Sequence, residues 1–128
     1  MCCHSESQSL RQGFRLNVNF DIFFIDFLDR LVDGASRNEG RVEVFYARQW
    51  GTICDKGWDL TDARVVCRML GYTDAMTTPK YEEGTGRIWL SDVNCQVSDD
   101  SIFRCMHAGW GNTGNCTHSN DAGVKCYY

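Results

Sequence analysis

The chain has 128 residues, with 13 Lys and Arg against 17 Asp and Glu and a pI near 5.2. That length suits one domain of ordinary size, and the acidic balance excludes nucleic-acid binding through a bulk basic surface. Eight cysteines beside a single proline describe a cross-linked, turn-rich module of an oxidising compartment.

The first 29 residues differ in texture from the rest. MCCHSESQSLRQG is polar, and the apolar segment from Val18 to Leu28 is broken by Asp21 and Asp26. This falls short of the roughly 18 apolar residues of a membrane span and does not follow a secretory signal pattern. Residues 1–29 are therefore expected to be an N-terminal extension, disordered or the product of a misassigned start, and residues 30–128 to be the domain. A disulfide-rich domain without an export signal is expected to be a fragment of a longer chain or to have an alternative start. Cys2 and Cys3 belong to the extension, and adjacent cysteines seldom bridge each other because the geometry is strained.

From Arg30 onward, short β-patterned runs alternate with turn signals. RLVD leads into the loop GASRNEG; RVEVFY alternates polar and apolar side chains like a half-buried strand; QWGTIC continues as its antiparallel partner after a turn at Ala47-Arg48. Asp59 precedes a run in which Ala63, Val66, Cys67 and Leu70 recur at helical spacing. A helix from Asp59 to Leu70 is predicted, with Asp59 or Thr61 as N-cap and Gly71 at the stop. YTDAMTTPKYEEGTG reads as a long loop, RIWL as a strand, and AGVKCYY as a last strand after a Gly-, Asn- and Cys-rich stretch. Trp50, Trp58, Trp89 and Trp110 read mainly as core, with Trp110, between two glycines, the most exposed. The class is α+β: a small twisted antiparallel sheet cradling one main helix, with long stapled loops.

Six cysteines fall in the domain: Cys54, Cys67, Cys95, Cys105, Cys116 and Cys126. No C-x-x-C or paired Cys/His knuckle occurs among them, which argues against zinc and against redox catalysis. They read as structural disulfides, although spacing alone leaves their connectivity open. No nucleophile elbow, phosphate loop or paired-carboxylate cleft stands out, so the domain reads as non-catalytic.

The succession RLVDG, GRVEVFY, QWGTICDKGWDLTDARVVCRMLGY, GRIWLSDVNC, FRC, HAGWG, NCTHSNDAGVKC resembles the scavenger receptor cysteine-rich domain over about residues 30–128. Arg37-Asn38-Glu39 and Tyr72 stand where the family's eight-cysteine group has its extra pair, so the chain resembles the six-cysteine group A. The resemblance implies bridges Cys54–Cys116, Cys67–Cys126 and Cys95–Cys105. It also implies an extracellular recognition module, secreted or part of a membrane protein's ectodomain, for polyanions, microbial surface components or extracellular proteins. The alternatives are an accessory domain of an extracellular enzyme of serine protease or lysyl oxidase type, and an adhesion module.

Family members often hold Ca²⁺ through two aspartates in C-D-D-G-W and a glutamate in H-x-E-D-A-G. Here the matching positions carry Asp55, Lys56 and Asn120. An ammonium and a neutral amide in place of two carboxylates weaken a hard-cation site, so no cofactor is expected to be required. Ca²⁺ on Asp55, the one carboxylate left of that site, or at a second oxygen site to which Asp92 and Asp121 contribute, is the lesser alternative. Lys56, Arg64 and Arg68, with Arg41 or Arg48 from the neighbouring hairpin, are instead expected to offer an anion-binding face, since arginine forks suit sulfate, phosphate and carboxylate. The opposing reading is a solvated helix face offset by Asp59 and Asp62. Asn115-Cys116-Thr117 satisfies the N-glycosylation sequon, with a bridge cysteine at its centre.

Overall fold

The computed structural model describes residues 28–128; the expectations for the preceding extension, Cys2 and Cys3 among them, lie outside the described residues. Among the described residues six strands and one α-helix follow in order: β1 (Asp29–Asp33), β2 (Glu39–Tyr46), β3 (Gln49–Ile53), α1 (Leu60–Met69), β4 (Asp74–Thr77), β5 (Arg87–Leu90) and β6 (Gly123–Tyr127).

Alternation along β2 organises the sheet. Val42 and Val44 are fully buried toward the core, while Arg41, Glu43 and Phe45 take the other face, as the period of two requires. One edge of β2 pairs antiparallel with β1, Asp29 opposite Val44 and Asp33 opposite Gly40. The other edge is shared: β6 takes its first half, Gly40 opposite Val124, and β3 its second half, Phe45 opposite Trp50. β4 lies outside β6 and β5 outside β3.

Two details depart from the sequence reading. β5 runs parallel to β3, Gly51 opposite Arg87, so the sheet is mixed; the connection between them carries α1 and is long enough to bring the chain back in the same direction. β4 lies inside the stretch read as loop. Its four residues are half-buried or exposed and show no alternation, because what makes them a strand is pairing with β6, a tertiary rather than a local signal. The β2–β3 turn sits at Ala47-Arg48 as expected, both residues in the left-handed region at φ 50° and 65°, the geometry that lets a tight turn follow the twist of its strands.

Helix α1 is fixed at both ends. Asp59 is the N-cap, and it and Asp62 bond each other's backbone N–H groups in a capping box. At the other end Gly71 adopts φ 93°. There the N–H groups of Gly71 and Tyr72 return to the carbonyls of Arg68 and Cys67, closing a Schellman motif that favours glycine. Ala63, Val65, Val66 and Cys67 are buried, and the helix packs on β4 and β6. The bridges Cys54–Cys116, Cys67–Cys126 and Cys95–Cys105 are all formed, the pairing the resemblance implied. Among the tryptophans Trp89 alone is buried. Trp110 is half-buried; it stacks on Tyr46 with ring centroids 3.8 Å apart and lies near Phe103.

Asp62 is 1% exposed, a rare position for a carboxylate. Besides the capping bond from Asp59, its Oδ1 accepts from the Cys95 N–H at 2.8 Å, clipping the start of the helix to the Cys95–Cys105 loop. Burial pushes its carboxyl up to about 6, against the two backbone donors. Asp62→Ala leaves the buried Cys95 N–H and the partly buried Asp59 N–H without their acceptor, and a loss of roughly 1.5–3 kcal/mol in urea unfolding is expected. A loss below about 0.5 kcal/mol, the range of an ordinary surface change, would show that the clip does not hold the helix.

Candidate ligand-recognition surface

The stretch after β3 is shaped by its backbone bonds. Cys54 donates to the Leu90 carbonyl and Asp55 to that of Asn120, and the Trp58 N–H returns to the Asp55 carbonyl. This closes a tight turn through Gly57 at φ 80°. Cys54 is thereby held beside the C-terminal segment, where it meets Cys116. An open cleft of about 610 Å³ lies over this bridge, bordered by Asp55, Lys56, Asp92, Asn112, Asn115 and Asn120 among others.

The charges in the cleft are paired locally. Asp55 is bonded by the ammonium of Lys80, which also donates to the Ser119 carbonyl at 2.9 Å. Asp92 faces Lys56 at a looser 3.8 Å, and the Lys56 side chain is 71% exposed. Asp121 belongs to a different environment: it is buried, accepts from the Gly84 N–H at 2.8 Å and faces His118 Nδ1. The three carboxylates considered as cation ligands thus each have a basic or N–H partner, and Asp121 is held apart from the cleft lining. Among the described residues one trio of potential ligand atoms lies within 4.8 Å, Cys95, Asp99 and Cys105, but both sulfurs are joined in a disulfide and are not thiolate donors.

The candidate basic residues are scattered in role. Arg41 is placed differently from the expectation. It is 6% exposed, with Nε on Glu43 at 3.0 Å and Nη1 on Asp33 at 2.8 Å and on the Glu82 carbonyl at 2.6 Å. Burial alone would lower its pKa, yet the bonds from Asp33 and Glu43 raise it; it is a structural cation beneath the loop, inaccessible to a surface ligand. Alternation put Arg41 on the face opposite Val42, and what sequence did not show is that residues 78–86 cover that face. Arg48 is exposed at the tip of the β2–β3 turn, on the strand pair away from α1.

Arg64 bonds Asp74 at 2.8 Å, and the Ala75 N–H together with Arg64 holds that carboxyl below its usual range. Arg68, one turn on, is exposed, makes no side-chain hydrogen bond to the described residues, and adds its charge to the field on Asp74. Two cations were missed. Lys80 sits in a loop whose course is set only by tertiary contacts. Arg37 is brought beside the end of α1 by the bond from the Tyr72 hydroxyl to its carbonyl at 3.2 Å; nothing in the local sequence signals either placement.

The loop over Arg41 is fastened at several points. Tyr81 donates to Glu39 and lies near the Val124 carbonyl, and His118 Nε2 is 3.0 Å from the Gly86 carbonyl. His118 therefore has an acceptor at each ring nitrogen, the Asp121 carboxylate and the Gly86 carbonyl, an arrangement satisfied only when both nitrogens carry protons. Its partial burial and the charge of Arg41 lower its pKa, but the Gly86 and Asp121 bonds outweigh them and raise it.

A mixed sheet curled against one helix and closed by three bridges defines a small disulfide-stapled domain. The chain belongs to the scavenger receptor cysteine-rich family: the family model "Scavenger receptor cysteine-rich domain" matches residues 32–127. It is similar to lysyl oxidase homolog 3A of Danio rerio, 52% identical over 92 residues that make up 70% of this chain and 12% of that protein. It is also similar to the macrophage receptor MARCO of Mus musculus, 48% identical over 97 residues, 76% of this chain and 18% of that protein. The chain thus spans less than a fifth of these relatives. Among solved structures, the third domain of this family in murine neurotrypsin matches with a TM-score of 0.73 and 45% identity, over 80% of this chain and 97% of that one.

The doubly bonded His118 gives a pH dependence of defined sign. Because folding raises its pKa above 6.5, the stability it contributes is fully present below about pH 6.5 and is lost as pH rises through its folded value. The urea midpoint of His118→Gln is expected to fall furthest below wild type at about pH 5.5 and to approach it by about pH 8.5. A gap that does not change with pH would show that the imidazole holds the loop uncharged.

Proposed function

We propose that this domain is a non-catalytic extracellular recognition module that takes anionic ligands on the outer face of α1. The observation that carries the reading is the exposed guanidinium of Arg68 one helical turn from Arg64, with Lys56 exposed just ahead of the helix. Guanidinium forks on adjacent turns suit the repeated sulfates, phosphates or carboxylates of a polyanion or a microbial surface polymer. Arg64 is shared with Asp74 and brings less than a full charge to the face, while Arg37 adds a cation near the end of the helix. The extracellular setting is supported by three bridges, which persist in oxidising compartments. Among the described residues no helix is long and apolar enough to cross a membrane.

Recognition of this kind needs no bound cation. Lys56 and Lys80 stand against Asp92 and Asp55, so a divalent ion there would have to displace ammonium groups as well as shed water. A second reading, an accessory domain within a larger extracellular enzyme, is favoured by the similarity to lysyl oxidase homolog 3A. It differs in the whole protein rather than in the surface, since the catalytic part would lie outside the matched residues.

Dextran sulfate binding by the oxidised chain tests the surface. Arg64→Ala with Arg68→Ala is expected to weaken binding about tenfold, equivalent to ~1.4 kcal/mol, and added salt should reduce the difference. Affinity is expected to be equal in Ca²⁺ and in EDTA. An unchanged affinity in the double variant removes α1 as the binding face; a requirement for Ca²⁺ restores the cation site.

A further inference from the structure

The cleft over Cys54–Cys116 has a rim residue that the anion-binding reading does not use. Asn115 is exposed, borders the cleft with Lys56 and Asp92, and its side-chain amide makes no hydrogen bond to the described residues, in contrast to Asn112 and Asn120 nearby. It lies third in a tight turn closed by the Cys116 N–H on the Thr113 carbonyl at 3.0 Å, with Gly114 at φ 55°. Two residues on, Thr117 completes the Asn-Cys-Thr sequon.

We propose that Asn115 is an N-glycan acceptor, modified before the Cys54–Cys116 bridge closes, and that the glycan then covers the Lys56 side of the cleft. The order of events follows from the folded geometry. A transferase must take the acceptor as a segment that it can extend, with the Asn amide and the Thr hydroxyl both presented to it. In the folded domain the middle residue is tied to Cys54, the turn is closed on itself, and the Thr117 hydroxyl is 2.7 Å from the Ser119 hydroxyl and near Asn120 Oδ1. Asn115 and Cys116 emerge together, 62 residues after Cys54, so the interval open to the transferase runs from the arrival of Cys116 to the closing of its bridge.

The chemistry balances without an oxidant. The Asn115 Nδ2 forms a bond to the anomeric carbon of a lipid-diphosphate-linked oligosaccharide, the bond from that carbon to the diphosphate oxygen breaks, and Nδ2 gives up one proton as the lipid diphosphate leaves. The finished bridge and a glycosylated Asn115 are compatible, because Asn115 is exposed and its amide has no hydrogen-bond partner among the described residues.

This inference rests on the extracellular setting of the proposed function but not on its anionic ligands, and the test separates the two. The full chain is directed into the secretory pathway of cultured animal cells behind an added secretion signal, and the tryptic peptide containing Asn115 is analysed before and after peptide N-glycosidase F. Wild type and Thr117→Ser are expected to carry glycan, Asn115→Gln and Thr117→Ala to carry none, and mild reductant during synthesis to raise occupancy by delaying the bridge. Asn115 is exposed and its amide makes no hydrogen bond to the described residues, so Asn115→Gln reports on the sugar rather than on folding.

Acylation of Lys56 by a succinimidyl ester, read by peptide mapping, is expected to be several-fold faster in Asn115→Gln than in glycosylated wild type. A chain secreted with all three bridges and no glycan at Asn115, with or without reductant, overturns the proposal. Equal labelling of Lys56 overturns the covering of the cleft. Dextran sulfate binding by Asn115→Gln reports separately on the anionic face.

Discussion

The structure depends first on the bridge between Cys67 and Cys126. Both sulfurs lie where no solvent reaches, one on the inward face of the only α-helix among the described residues and the other on β6, which sits between β4 and β2. Neither β4 nor β6 is longer than five residues, and strands this short do not persist without neighbours. Closing a loop of 59 residues removes on the order of 4 kcal/mol of chain entropy from the unfolded state in the usual model, comparable to the whole margin of a small domain. The helix cap, the Schellman stop at Gly71 and the clip from Asp62 to Cys95 then set how that helix lies, but they act on an element already tethered.

The second organising feature is the opposite face of the sheet, which carries charge where a larger domain would carry a second apolar layer. Arg30, Arg41, Glu43 and Asp33 form a connected ionic group, and residues 78–86 lie over it, joined through Glu82, Gly84 and Gly86. Such a group contributes less to stability than apolar packing of equal volume would, because desolvation offsets most of the attraction, but removal of one member leaves a buried charge alone and is costly. What the network supplies is geometry. A loop without regular structure takes one course across the sheet, and that course delivers Lys80 to Asp55.

How much of this was legible follows from where each signal resides. The helix, its N-cap at Asp59 and its stop at Gly71 were readable because capping and periodicity are local. The strands β2, β3, β5 and β6 were readable because alternation and turn residues are local too. The pairing of cysteines was not readable from spacing and came from the family likeness. β4 was missed because a four-residue edge strand is defined by its partner. Arg41 was grouped with surface arginines because sequence assigns a residue to a face of a strand without showing that a loop 41 residues later returns to cover it. Lys80 was missed for the same reason seen from the other end.

That return of the loop changes how the cleft should be understood. From sequence, Lys56 appeared as a lone ammonium in a position where the family offers a carboxylate, and Asp55 as a carboxylate left without companions. In the folded domain each has a counter-charge from a distant part of the chain: Lys80 reaches Asp55, and Lys56 stands opposite Asp92, itself held at φ 58° in the left-handed region. A cleft balanced in this way exerts little long-range field, since opposite charges a few ångströms apart cancel beyond about a Debye length of 8 to 10 Å. On the reading proposed above, attraction of an anionic polymer therefore rests more on exposed cations outside the cleft, Arg68 and Arg37 near α1 among them, than on Lys56. One short turn, Cys54 to Asp59, joins the cleft to α1, so the proposed anionic face and the paired charges of the cleft are neighbours, and on that reading a ligand reaching the cleft would do so through close contacts rather than through a long-range field.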